Sequence, residues 1–166
     1  ALLLLPLFAG GLNASAATAP TSADVTVHKV VFEDKIPEGY PKQNTGLVMS
    51  DFGGTPLAGA GFTVYDVTQA YHSAINGADQ ATAMAAVIAD FNNGVDVGSA
   101  VGAEQVTVNP GGVTTFEDLP LTSDGLDAAY LFVETSTPAQ PNIVQKAAPF
   151  ILAMPIYTAA GADGVL

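Results

Sequence analysis

The stretch Val25-Thr26-Val27-His28-Lys29-Val30-Val31 alternates with a period of two, the repeat of an extended strand whose successive side chains point to opposite faces. It sets Val25, Val27, Lys29 and Val31 on one side and Thr26, His28 and Val30 on the other. If the valine side is the core side, an ammonium has been taken out of water with it. Such a group is tolerated there only when paired, deprotonated or chemically consumed. The position stands out because the chain has four lysines and no arginine. Further on, Tyr130-Leu131-Phe132-Val133-Glu134-Thr135 repeats the anomaly with the opposite sign, Glu134 sharing a face with Tyr130 and Phe132. Two readings follow: a buried ion pair, or two of the three participants in an internal cross-link.

Outward from these strands the chain reads as short β segments. The first strand is expected over 25–33, and a loop follows over 34–46 with Pro37, Pro41, Gly39 and Gly46 as punctuation. Gly61–Thr68 is a second strand, rich in β-branched and aromatic residues. From Gln69 to Phe91 the apolar residues move to spacings of three and four. That predicts one or two helices, broken at Gly77 and stopped at Asn92-Asn93-Gly94. Strands resume over 105–108, 113–119, 129–135 and 149–157, with turns at Asn109-Pro110-Gly111-Gly112 and Ser123-Asp124-Gly125. The sum is a mainly β chain: an antiparallel β-sandwich carrying a helical insertion. A sandwich of this kind closes by pairing its last strand near its first. The chain ends where another strand would begin, so the fold is expected to be truncated before its last strand.

The first twelve residues are an apolar run too short to span a bilayer. Ala14 and Ala16 then give the small-x-small pattern of a signal peptidase site. Cleavage after Ala16 makes residues 1–16 a partial signal peptide, 17–24 a polar leader and 25–166 one domain, a length that can bury a core of its own. No cysteine is available for disulfides despite the expected export. A net charge of −12 argues against nucleic acid and anionic membrane surfaces as partners, since both call for basic patches. No membrane contact is expected beyond the signal peptide.

Four segments, in order, resemble the amino-terminal domain of Gram-positive sortase-assembled shaft pilins: Val27-His28-Lys29-Val30, Gly61-Phe62-Thr63-Val64-Tyr65-Asp66-Val67, Tyr130–Pro138 and Lys146–Pro155. The third is similar to that family's glutamate-bearing strand. The resemblance implies an Ig-like, CnaB-like sandwich and an intramolecular isopeptide bond. In such a bond a first-strand lysine attacks an asparagine carboxamide on the last strand, assisted by a nearby acid. It gives Lys29 the nucleophile's role and Glu134 the proton shuttle's. It also implies a structural role in a covalently polymerised pilus on the cell wall, with other pilin subunits and a sortase as partners.

The acceptor departs from the pattern, because no matching asparagine follows the Pro149–Tyr157 segment. Asn109 and Asn142 are the nearest internal candidates, and both lie beside turn or proline signals. The acceptor is therefore expected downstream, with an unreacted Lys29–Glu134 pair as the state of this chain. Tyr40-Pro41-Lys42-Gln43 imitates a polymerisation motif but sits in the loop after the first strand, so Lys42 is not assigned that role.

His28 and His72 have no partner at metal-ligand spacing, and Asp51, Asp96, Asp124 and Asp127 lack a calcium-loop series. Neither a metal nor a cofactor is expected. No nucleophile-elbow or phosphate-loop motif is present, which leaves an enzyme reading without a catalytic constellation. The alternative from another class is an adhesin or minor pilin domain binding host protein or glycan, with Tyr40, Phe52 and Tyr71 as candidate contact aromatics.

Overall fold

The run Ala128–Phe132 is buried throughout, and the reason is that its strand lies between two layers. In the computed structural model, which describes residues 18–33, 35–40, 52–139 and 146–156, the chain order is as follows. Strands Ser22–His28 (β1), Val30–Val31 (β2), Thr55–Pro56 (β3) and Gly61–Asp66 (β4) precede helices Thr68–Ile75 (α1) and Gln80–Asn92 (α2). Then come Ser99–Ala100 (β5), Gln105–Val106 (β6), Val113–Pro120 (β7), Thr122–Ser123 (β8), Leu126–Asp127 (β9), Ala129–Ser136 (β10) and Phe150–Ala153 (β11). β10 is flanked by β4 and β11, with β5 and β6 on the far edge of β4, and all of these pairs are antiparallel. β1 pairs antiparallel with β7 to form the opposing layer.

Alternation along β10 divides the core in two. Tyr130 and Phe132 turn toward the β1–β7 layer and pack with Phe62, Val64, Phe116 and Val27. Leu131 and Ala129 turn the other way, onto Val67, Tyr71, Ala83 and Val87 of the α1–α2 layer. A strand covered on both faces has no polar side to show, so its sequence reads as a continuous apolar run. The Phe116 and Phe132 rings meet edge to face, centroids 5.7 Å apart, across the sandwich interior.

Local chemistry explains the helical layer. Asp66 closes β4 by accepting from the Thr68 amide (3.0 Å) and hydroxyl, and from Ser123 Oγ at 2.7 Å. Burial pushes the Asp66 carboxyl up, but the Thr68 and Ser123 hydroxyls and the Thr68 amide outweigh it and hold it below the ordinary range. α2 starts at Asp79, whose carboxylate accepts from the Thr82 amide at 2.8 Å in N-cap geometry. The break between the helices falls at Gly77, φ +89°. No helix among the described residues is long and apolar enough to cross a membrane.

Several boundaries differ from expectation. The first strand begins at Ser22, inside the segment read as leader, and pauses at Lys29. Its ladder with β7 is irregular between Ala23 and Val25, where the Asp24 carboxylate accepts from the Asp118 amide at 2.8 Å. The expected turn at Ser123-Asp124-Gly125 is present as that of the β8–β9 hairpin, with φ +50° at Asp124 and +78° at Gly125, the pair of positive angles that a two-residue turn needs. The expected 105–108 strand is reduced to β6 plus a bridge from Val108 to Val113.

Candidate functional site

Lys29 lies where the first strand changes partners. Up to His28 the strand pairs with β7; after Lys29 it pairs with β3 as β2. At the junction the Lys29 amide donates to Gly112 O (2.8 Å), and Lys29 O accepts from the Leu57 amide (2.9 Å). The lysine backbone is thus pinned from two directions. Gly112 is part of the clamp: at φ +60°, an added Cβ would stand 2.6 Å from both Lys29 O and Leu57 N. Leu57 is held in turn by buried Thr107, whose hydroxyl donates to Leu57 O (2.7 Å) while accepting from the Ala60 amide (3.1 Å).

From this fixed point the Lys29 side chain runs inward to Glu134, Nζ donating to Oε2 at 2.8 Å. Lys29 is 7% exposed and Glu134 4%. The carboxylate has two further donors. The Ala147 amide reaches Oε2 at 2.6 Å from the segment before β11, and the Thr137 hydroxyl reaches Oε1 at 2.9 Å. Burial alone would push the Glu134 carboxyl up. The Lys29 hydrogen bond, the Ala147 amide, the Lys29 charge and the Thr137 hydroxyl together outweigh it and hold the group below the usual carboxylate range. These donors favour the carboxylate form of Glu134 over the neutral acid that burial by itself would give.

The structure brings Lys29 and Glu134 together across the sandwich interior. Asn109 is exposed in the turn before β7; Asn142, Lys42 and Asp51 lie outside the described residues. His28 points away from Lys29 and packs on the Phe52 ring, centroids 4.5 Å apart, with its pKa lowered by burial. His72 makes a 2.8 Å hydrogen bond between Nε2 and Asp127 O.

Of the three candidate contact aromatics, Tyr71 does not lie at the surface. Tyr71 is 5% exposed in the core beneath the helices, while Tyr40 meets Phe32 edge-on. Thr137 and Ala147 went unassigned in the sequence. The only signal was a hydroxyl residue three positions after the acid.

The family model for the Gram-positive pilin subunit D1, N-terminal domain, matches residues 20–166. The fimbrial subunit type 2 of Actinomyces naeslundii is 35% identical over 159 residues, a match covering 84% of this chain but only 26% of that protein. The chain thus spans about a quarter of that relative's length. Among solved structures, the basal pilin SpaB of Lactobacillus rhamnosus GG is 28% identical with a TM-score of 0.59, covering 83% of this chain and 86% of that one. The N-terminal domain of the shaft pilin SpaA from the same organism is 27% identical, TM-score 0.58, over 84% and 87% of the two chains. The full-length major pilin SpaD of Corynebacterium diphtheriae is 26% identical, TM-score 0.51, over 85% of this chain and 29% of that one. These relatives are structural subunits, not enzymes. The chain belongs to the Gram-positive pilin subunit D1 family, as an N-terminal domain.

Proposed function

We propose that this domain is the amino-terminal part of a shaft subunit in a covalently polymerised pilus on the Gram-positive cell wall, with neighbouring subunits and a sortase as partners. Residues 1–16 serve export, and the folded domain acts mechanically. Its internal chemistry is a single turnover. Lys29 Nζ attacks the side-chain carboxamide of an asparagine supplied by chain beyond Leu166. Glu134 carries the proton from the amine to the departing nitrogen, the new N–C bond replaces the old one, and ammonia leaves. The observation that carries this reading is the buried 2.8 Å contact between Lys29 Nζ and Glu134 Oε2. A second supports it. Among the described residues β1 has a strand partner on one side only, so a closing strand can reach the edge beside Lys29.

The test is intact-mass analysis of the full-length protein. Each bond formed lowers the mass by about 17 Da, the mass of one ammonia. The loss assigned to Lys29 is expected to disappear in Glu134→Ala. A loss that persists there, and maps to Lys29 by peptide sequencing, clears Glu134 of the role.

A further inference from the structure

The two oxygens of Glu134 are held differently. Oε2 accepts from the Lys29 ammonium and the Ala147 amide, at 2.8 and 2.6 Å, while Oε1 accepts from the Thr137 hydroxyl at 2.9 Å. The proposed chemistry needs a proton to leave the amine and reside on the acid. The Nζ–H···Oε2 hydrogen bond is the path along which that proton passes to Oε2. Thr137 holds the other oxygen.

How Thr137 comes there is written in the backbone. Residues three apart on a regular strand point to opposite faces. Here the ladder between β10 and β4 is irregular from Glu134 to Ser136, and β10 ends at Ser136. The irregularity changes the parity and brings the Thr137 hydroxyl back to the side of Glu134.

We propose that Thr137 is a positioning residue that restrains Glu134 as the charged partner of Lys29, and so acts as a brake on amide formation at the site assigned under Proposed function. While Glu134 is ionised, Thr137 donates to Oε1 and favours the carboxylate, which opposes passage of the Lys29 proton to Oε2. The surroundings offer no rival for this control. Lys29 is the one charged group paired with Glu134 among the described residues, Lys146 beside Ala147 is exposed, and β4 and β7 supply apolar Phe62, Val64 and Phe116 to the same core. The lowered carboxyl pKa of Glu134, to which Thr137 contributes, agrees with the geometry.

Thr137→Val removes the hydroxyl and keeps the shape; Thr137→Ser keeps the hydroxyl. The first readout is the Glu134 side-chain carboxyl resonance of the ¹³C-labelled chain, followed from neutral to acidic pH. Its midpoint is expected to rise in T137V and to return toward the parental value in T137S. The second is the rate of the ammonia mass loss in the full-length protein, measured from freshly refolded material. T137V is expected to react about three- to tenfold faster than the parent, which is what one hydrogen bond of ordinary net strength converts to.

An unchanged midpoint in T137V overturns the restraint, and a raised midpoint without acceleration overturns the brake. Absence of any mass loss in the parent defeats the Lys29–Glu134 chemistry itself and the brake with it, a result distinct from a parent that reacts at the same rate as T137V.

Discussion

Removing the carboxylate of Glu134 leaves a buried ammonium whose only hydrogen-bond partner among the described residues was that carboxylate. Breaking a buried pair from one side is costly because the surviving charge stays out of water, and Glu134→Ala is expected to lose about 3–5 kcal/mol. The reverse truncation is milder. In Lys29→Met the carboxylate keeps the Ala147 amide and the Thr137 hydroxyl, so the loss is about 1–3 kcal/mol, the range for weakening a hydrogen-bonded charge that retains other donors. Replacing both, as Lys29→Met with Glu134→Leu, removes the desolvation problem altogether and should return most of the stability, or exceed the parent by about 1–4 kcal/mol. Urea unfolding of this chain at pH 7 measures all three, with the slope of each transition checked so that free energies are comparable. If E134A does not fold, Glu134→Gln supplies the same comparison with a neutral acceptor in place. Losses under about 1 kcal/mol for both single changes, the size measured for solvated pairs, would refute the burial argument. A K29M loss larger than that of E134A would refute the asymmetry.

Two further outcomes follow from the same clamp. Gly112→Ala should cost about 1–3 kcal/mol from its positive φ alone. It should also raise amide exchange at Lys29 and Leu57, because the new methyl pushes on Lys29 O and Leu57 N; unchanged exchange at both residues would show that the junction is not tightly held. Acid should unfold the domain through its depressed carboxyls. Glu134 and Asp66 titrate below their ordinary values when folded, so the unfolded chain takes up their protons first. Their contribution is complete above the unfolded carboxylate range, near pH 4 to 5, and is lost as pH falls through the lower folded values. Urea midpoints between pH 7 and pH 3 measure that loss, and K29M should show less of it, since Lys29 is one of the causes that depress Glu134.

The alternation at Val25–Val31 was legible because a period of two survives where one face is buried, and Glu134 stood out because it interrupts the apolar run from Tyr130 to Val133. Reading them put Lys29 and Glu134 on core sides before any contact was known. The split helices were legible too, since Gly77 interrupts an otherwise continuous pattern. What escaped has a physical cause in each case. Two-residue strands such as β3 and β5 are too short to carry any periodicity. The first strand was started three residues late because its irregular ladder near Asp24 breaks the alternation there. Tyr71 was taken as a contact residue, yet it fills the interface between α1 and the sheet, whose existence depends on β10 being covered on both faces. The Thr137 contact needs a change of strand parity, and the Ala147 contact joins residues thirteen positions apart. A hydroxyl three positions after the acid is the only trace of the first, and the second leaves none in local sequence.

The energetics bear on why an ion pair occupies this place at all. A lysine and a glutamate taken out of water stabilise a fold no better than an apolar pair of similar volume, and often less well. Stability therefore does not explain Lys29, whereas the reactivity proposed above would. The backbone on either side of the amine is fixed by Gly112 and Leu57, so the nucleophile approaches from a defined point. Its strand has an edge without a partner among the described residues, where an incoming carboxamide would arrive already oriented. Forming the amide would exchange two desolvated charges for a neutral bond, relieving the burial penalty and tying the first strand to the last. In a chain without cysteine, that proposed exchange would turn a costly buried contact into a cross-link.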